Sequence, residues 1–302
     1  MINAINYNSA AALKTFLDGE SLGMRKKYGQ NFLINPETRK SLVQALGANS
    51  ADEVWEIGPG LGAMTSLLLE KGFAVKAFEI DPGFIRVLKQ LFACEKDFSL
   101  VEGDVMKTWQ NHFSGKLAES GAGRKNAPFL LGNLPYNIAA ALMADMIEKG
   151  NLFKRMVVTV QKEVALRMTA AAGQDDYSSF SVLCESVYNV KPLMLIRPPS
   201  FYPQPNVDSM GLLLENKNSD NYPRIFYPLV RALFASRRKT IKNNLLNFIS
   251  SRHLNQNTAI TPRDFCASLL SENGLNGNER AETLDIKMFL SLAKSAEGLM
   301  GK

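Results

Sequence analysis

Histidine and cysteine are scarce in this chain, with two of the first and three of the second among 302 residues. His112 and His253 lack neighbours at metal-ligand spacing, so no metal centre is expected. Cys94, Cys184 and Cys266 are odd in number and widely spaced. That fits reduced, packed thiols rather than a disulfide framework or a zinc site. Long apolar runs are missing too. The nearest approaches are short or broken by charge, as Asp145 breaks AAALMADMI, so no membrane span is expected. The opening residues show no basic leader, and Lys14, Asp18 and Glu20 interrupt their apolar patch, which predicts a cytoplasmic location rather than secretion.

What is present is positive charge, and it is unevenly placed. Residues 217–302 hold 13 lysines and arginines against 7 aspartates and glutamates, so the whole excess of +6 lies there and the rest is balanced. A basic module joined to a neutral one points to a polyanionic partner, nucleic acid above all. A solvated helical surface is the plainer alternative.

Three regions follow from the pattern. Residues 1–22 read as a loose, flexible arm. Residues 23–216 alternate short apolar strands with amphipathic helices: EVWEI, FAVKAFEI, FSLVEG, PFLLGN and RMVVTVQ are the strands. That rhythm predicts an α/β, doubly wound, Rossmann-like parallel sheet. YNVKPLMLIRP and DSMGLLLE, joined by a proline-rich loop, read as an antiparallel pair closing its edge. A polar loop is expected over 120–126 and a polar linker after Glu215. Residues 223–297 show only helical patterns and predict a small all-helical domain.

The glycines of EIGPGLGA, Gly58, Gly60 and Gly62, stand between the first strand and its helix, where backbone N–H groups can approach a ligand. Alone they fit a dinucleotide, another nucleoside, or a turn with no ligand. Glu79 ends the next strand, 21 residues beyond Gly58, where a carboxylate can accept ribose hydroxyls; a surface acid is the alternative. Asp81 before Pro82 reads as a helix N-cap. Asp104, ending the third strand, can accept from an adenine amine while the Val105 backbone meets the ring, unless Asp104 is a turn residue only.

The fourth strand delivers GNLPYN, residues 132–137. If the cleft holds S-adenosylmethionine, the Asn133 side-chain oxygen and the Leu134 carbonyl can accept the N–H groups of an adenine amine and raise its nucleophilicity. Pro135 restricts Leu134 to an extended backbone, and Tyr136 can stack on the base. A strand-ending turn with an anchoring tyrosine is the plainer alternative.

KKYGQNFL, EIGPGLGAMT, FEID, GNLPYNI, QKEVALRM, FYPQPNVDS and RRKT together resemble the ribosomal RNA adenine dimethyltransferase family over about residues 25–295. The resemblance implies N6-dimethylation of two adjacent adenosines in a hairpin loop near the 3′ end of small-subunit ribosomal RNA. The enzyme implied uses S-adenosylmethionine, meets a pre-ribosomal particle, and acts as a monomer without metal. It further implies that Gln30, Asn31 and Leu33 join Gly58, Gly60, Glu79, Asp104, Val105 and Asn133 around the cofactor. Phe201 would sandwich the target base opposite Tyr136, although without the resemblance Phe201 reads as core packing. Arg237, Arg238, Lys239 and Lys242 would bind RNA phosphates. Asn206 and Asn35 depart from the Lys and Asp common in relatives. A large-subunit methyltransferase, a non-catalytic assembly factor and a NAD-type oxidoreductase are the competing readings.

Overall fold

The computed structural model describes residues 5–24, 28–113, 127–150, 152–218, 222–254 and 260–300. The polar loop expected over 120–126 lies outside them, as does part of the expected linker. The chain forms two compact units, one of Met1–Ala165 with Tyr188–Lys217 and one of Leu166–Val187 with Asn218–Lys302.

The first unit is built on a seven-stranded sheet. In chain order its strands are β2 (Glu53–Ile57), β3 (Ala74–Glu79), β4 (Phe98–Glu102), β5 (Phe129–Asn133), β6 (Arg155–Gln161), β7 (Tyr188–Ile196) and β9 (Ser209–Asn216). Their spatial order is β4-β3-β2-β5-β6-β9-β7. The first five strands run parallel, and β9 pairs antiparallel with both β6 and β7, so the expected antiparallel pair does close the edge. The apolar runs have a physical cause: β5 and β6 are covered on both faces, so successive side chains are all buried rather than alternating. The helices α3 (Ala63–Glu70), α4 (Pro82–Leu91) and α6 (Ala139–Glu148) connect these strands. The winding reverses between β2 and β5, which places a crevice at their carboxyl ends.

Helix α2 (Pro36–Ala45) precedes the sheet. Asn35 caps it by accepting from the Thr38 amide at 2.9 Å, so the asparagine does the work of the commoner aspartate. A two-stranded ribbon pairs β1 (Phe32–Leu33) with β8 (Phe201–Tyr202), Leu33 opposite Phe201 and Phe32 opposite Tyr202.

One expectation needs correction. The stretch read as a loose arm contains α1 (Ala10–Gly19), capped by Ser9 and anchored by Leu13 and Leu17. A helix of 10 residues is marginal alone. Here the two leucines are 1% and 3% exposed, and burial of each contributes roughly 2 kcal/mol.

The second unit holds α8 (Ser179–Val187), α9 (Phe226–Leu233), α10 (Ile241–Arg252), α11 (Pro262–Glu272) and α12 (Ile286–Met300). Phe226, Leu229, Phe265, Leu269, Phe289 and Leu292 fill its core. Residues 166–187, assigned by sequence pattern to the sheet domain, join this core through Tyr177 and Val182, and the buried Tyr177 hydroxyl donates to the Leu284 carbonyl at 3.0 Å. No helix among the described residues is long and apolar enough to cross a membrane.

Candidate active site

A cavity of about 270 Å³ opens in the first unit at the carboxyl ends of the strands. The expected residues Gly58, Gly60, Glu79, Asp104, Val105 and Asn133 all line it, together with Gln30, Asn31 and Pro135.

The floor begins at the turn after β2. Gly60 has φ +60°, and its amide donates to Glu79 Oε2 at 3.1 Å. A Cβ there would lie 2.9 Å from the Phe32 ring, so the position needs glycine for conformation and for space. Glu79 Oε1 accepts from the Ile80 and Asp81 amides, each at 2.9 Å. Three of roughly four acceptor positions on this carboxylate are thus taken by backbone, which leaves one, on Oε2, for a ligand hydroxyl.

Burial dominates the charge state of Glu79, which is 5% exposed, and pushes its pKa up to about 7. The three amide donors oppose that shift, while the neighbouring Asp81 charge adds to it. Asp81 caps α4 as expected, accepting from the Gly83 amide at 2.8 Å, and its other oxygen takes Gln30 Nε2 at 3.1 Å. Gln30 therefore ties the loop before β1 to the cap of α4.

Glu56 lies beneath the glycine turn and is fully buried; burial pushes its carboxyl up to about 7 as well. Its Oε2 accepts from Thr65 Oγ1 at 2.6 Å, and its Oε1 has no partner among the described residues. A raised folded-state pKa means the protonated form stabilises the fold. That contribution is whole below about pH 4.5 and is lost as pH rises through about 7. Glu56→Gln, which keeps an acceptor for Thr65, should therefore stabilise the protein by about 3 kcal/mol at pH 8. The gain should vanish below pH 4.5 in thermal unfolding followed across pH.

Asp104 takes the turn role and also borders the cavity. Its Oδ1 caps α5 (Val105–Thr108) by accepting from the Met106 amide at 3.0 Å, and the residue lines the cavity beside Val105.

At the end of β5, Asn133 Nδ2 donates to the Asn31 carbonyl at 2.7 Å, and its Oδ1 is buried without a partner among the described residues. An unpartnered buried acceptor costs about 1–3 kcal/mol. The Asn31 bond also fixes which way the carboxamide is turned, because a flip would set oxygen against oxygen. The Leu134 amide donates to the Thr159 carbonyl at 3.1 Å, and the whole residue is 2% exposed and outside the cavity lining. The Pro135 carbonyl accepts from the Ile138 and Ala139 amides and so starts α6. Tyr136 is half-buried, outside the cavity lining, with its hydroxyl 2.5 Å from Ser209 Oγ.

Two expectations fail here. Phe201 is 1% exposed and sits in the core with Leu42, Val43 and Ile196, so in this geometry it cannot stack on a base. Leu33, opposite it in the ribbon, is 5% exposed in the same core and does not line the cavity. Its neighbour Phe32 does, as do Asn137 and Phe84; the first two fall within the motifs GQNFL and GNLPYN, while Phe84 has no distinctive sequence signal. No cluster of potential metal ligands occurs among the described residues.

In the helical unit, Arg238, Lys239 and Lys242 are exposed near the junction of α9 and α10. The buried Asn244 shapes that junction by donating to the Leu233 and Ser236 carbonyls at 2.7 and 3.1 Å. Arg237 is more engaged than expected: its Nη2 donates to the Asp175 carbonyl at 3.0 Å, and its Nε lies 3.5 Å from Glu282.

Comparison with known proteins bears on this geometry. The profile of the family described as ribosomal RNA adenine dimethylase matches residues 22–296. Ribosomal RNA small subunit methyltransferase A of Treponema denticola is 45% identical over 294 residues, covering 95% of this chain and 94% of that protein. Among solved structures, a dimethyladenosine transferase from Plasmodium falciparum superposes with a TM-score of 0.72 at 25% identity, covering 88% of this chain and 97% of that one. The 23S rRNA methyltransferase ErmE shares the fold, with a TM-score of 0.59 at 18% identity and coverage of 88% and 99%.

Proposed function

This chain belongs to the ribosomal RNA adenine dimethylase family, and from that premise we propose how its cleft works. The protein is an S-adenosylmethionine-dependent methyltransferase that dimethylates adenosines of small-subunit ribosomal RNA. The substrate that the family resemblance implies is a pair of adjacent adenosines in a hairpin loop near the 3′ end, met during ribosome assembly in the cytoplasm by a monomeric enzyme.

The chain's own residues fit the cofactor. Glu79 offers one acceptor to a ribose hydroxyl, and Asp104 accepts from the adenine amine while the Val105 backbone borders the ring. Gln30 and Asn31 form the near wall. When bound, S-adenosylmethionine supplies an electrophilic methyl group on a sulfonium sulfur.

A target adenine must leave its stack to reach this cleft. Its N6 lone pair is delocalised into the ring and is a poor nucleophile. Asn133 Oδ1 and the Leu134 carbonyl accept the two N–H groups, localise the lone pair and stabilise the charge that develops on nitrogen. Tyr136, its hydroxyl held by Ser209, stacks on the base. No general base is needed, because the methylated nitrogen loses its proton readily, so positioning and electrostatics carry the rate. The observation that carries this reading is the buried Asn133 oxygen without a partner, on a carboxamide whose other end is already fixed.

The test presents both ribosomal subunits from unmodified cells, separately, with labelled methyl donor. Label in the small subunit alone is expected. Label in the large subunit alone contradicts the substrate, and RNA binding without label would favour a non-catalytic assembly factor.

The exposed cations of the helical unit serve as phosphate contacts in this reading. Arg238→Gln with Lys239→Gln should weaken binding to all RNA sequences alike and lower the slope of log affinity against log salt by about 2. Filter binding across salt checks it, and an unchanged slope would point to another surface. Arg237→Gln should lower stability as well, because it also removes the Asp175 and Glu282 contacts.

A further inference from the structure

We infer that residues 5–22 are a brace that holds the cofactor cleft in shape, and that Arg39 is the positioning residue that locks the brace to it. The inference rests on the cofactor reading above.

The brace touches the cleft from behind at three places. Leu13 and Leu17 of α1 pack with Leu61, Phe84 and Val87, with Phe32 and Tyr202 at the margin of the same cluster. Phe32 and Phe84, 5.5 Å apart between ring centres, are walls of the cavity itself. The Tyr7 hydroxyl donates to the Leu61 carbonyl at 2.9 Å, inside the glycine turn between Gly60 and Gly62.

Arg39 supplies the third tie. It projects from α2, is 5% exposed, and gathers acceptors from two separate segments. Its Nη1 donates to the Leu33 carbonyl at 2.6 Å and to the Tyr7 carbonyl at 3.2 Å, while Nη2 donates to Asn8 Oδ1. Leu33 lies two residues beyond Asn31, whose carbonyl fixes the Asn133 carboxamide. One guanidinium thus joins the brace to the segment, Asn31 to Leu33, that orients the acceptor for the target amine. A buried arginine is costly to desolvate, and removing it leaves the buried Leu33 carbonyl and the part-buried Tyr7 carbonyl short of a donor. At the far end Arg86 Nη2 donates to the Glu20 carbonyl at 3.0 Å, so the segment is held at both ends.

An ordinary structural arginine would affect folding alone. A positioning role predicts a loss specific to the cofactor. Arg39→Met, measured in the full chain at a temperature where circular dichroism shows it folded, should weaken binding of S-adenosylhomocysteine by about tenfold. Affinity for small-subunit RNA should be unchanged. Arg39→Lys should recover part of the loss, and Tyr7→Phe, which removes the hydroxyl that meets the Leu61 carbonyl and Ser66, should cost about threefold.

Wild-type affinity for the analogue in folded Arg39→Met, or a loss confined to RNA affinity, would overturn the inference. If Arg39→Met does not fold, Tyr7→Phe decides: a threefold loss supports the brace and an unchanged affinity overturns it. Wild-type protein that binds no analogue would overturn the cofactor reading, and this inference with it. Wild-type binding with unaltered variants would overturn the brace alone.

Discussion

Asn133→Ala is expected to lower the rate of methyl transfer by roughly 10²–10³-fold while weakening cofactor affinity far less. The separation follows from the two ends of the carboxamide. Nδ2 is committed to the Asn31 carbonyl at 2.7 Å, and Oδ1 is buried with no partner among the described residues. In the proposed mechanism that oxygen is used most where charge develops on the target nitrogen, so its removal should lower kcat more than it raises KM. The loss should therefore appear in single-turnover experiments at saturating cofactor and RNA. A transfer rate like that of the wild type would remove Asn133 from the chemistry. Asn133→Asp should not rescue, because a carboxylate oxygen would then face the Asn31 carbonyl where a donor is required.

The second large effect is expected at Glu79. Glu79→Gln should weaken S-adenosylhomocysteine binding by roughly 10- to 100-fold, the worth of a hydrogen bond to a charged group plus the cost of a mismatched donor. The amide can keep its oxygen on the Ile80 and Asp81 amides. Its nitrogen then meets the Gly60 N–H, donor against donor, and the remaining acceptor position is gone.

A pH signature accompanies this. Glu79 is pushed up to about 7, with burial as the main cause, and the protonated acid presents a donor where the ribose needs an acceptor. Wild-type affinity should therefore rise as pH increases to about 7 and level off above it. The Gln variant should show no such rise. Calorimetric titration from pH 5.5 to 8.5 separates the cases, and a flat profile for the wild type would assign the ribose to another group.

Much of this site is legible in the sequence because local chemistry specifies it. Three left-handed glycines after an apolar strand, an acid ending the next strand and a capping Asp81 before Pro82 each depend on neighbours within a few residues. The doubly wound sheet follows from the same local rhythm. What pattern reading misses depends on distant pairing. Phe201 and Tyr202 are adjacent on a strand of two residues, and side chains alternate along a strand, so register alone decides which turns inward. That register is set by β1, far away in the chain, and it buries Phe201 against Leu33 while leaving Tyr202 partly exposed.

The same holds for α1. Leu13, Phe16 and Leu17 have helical spacing, but charge at Lys14 and Asp18 hides it, and only the groove formed by Leu61, Phe84 and Val87 gives the apolar face somewhere to go. Arg39 carries no signal at all: its partners are carbonyls and one asparagine, which no sequence pattern marks.

The most direct test of the central claim is a crystal structure of the chain with S-adenosylhomocysteine and an oligonucleotide carrying the two target adenosines. The prediction is that Asn133 Oδ1 and the Leu134 carbonyl both lie within about 3 Å of the extruded adenine N6, on the side facing the cofactor sulfur. An adenine held elsewhere, with the Asn133 oxygen still unpartnered, would contradict it.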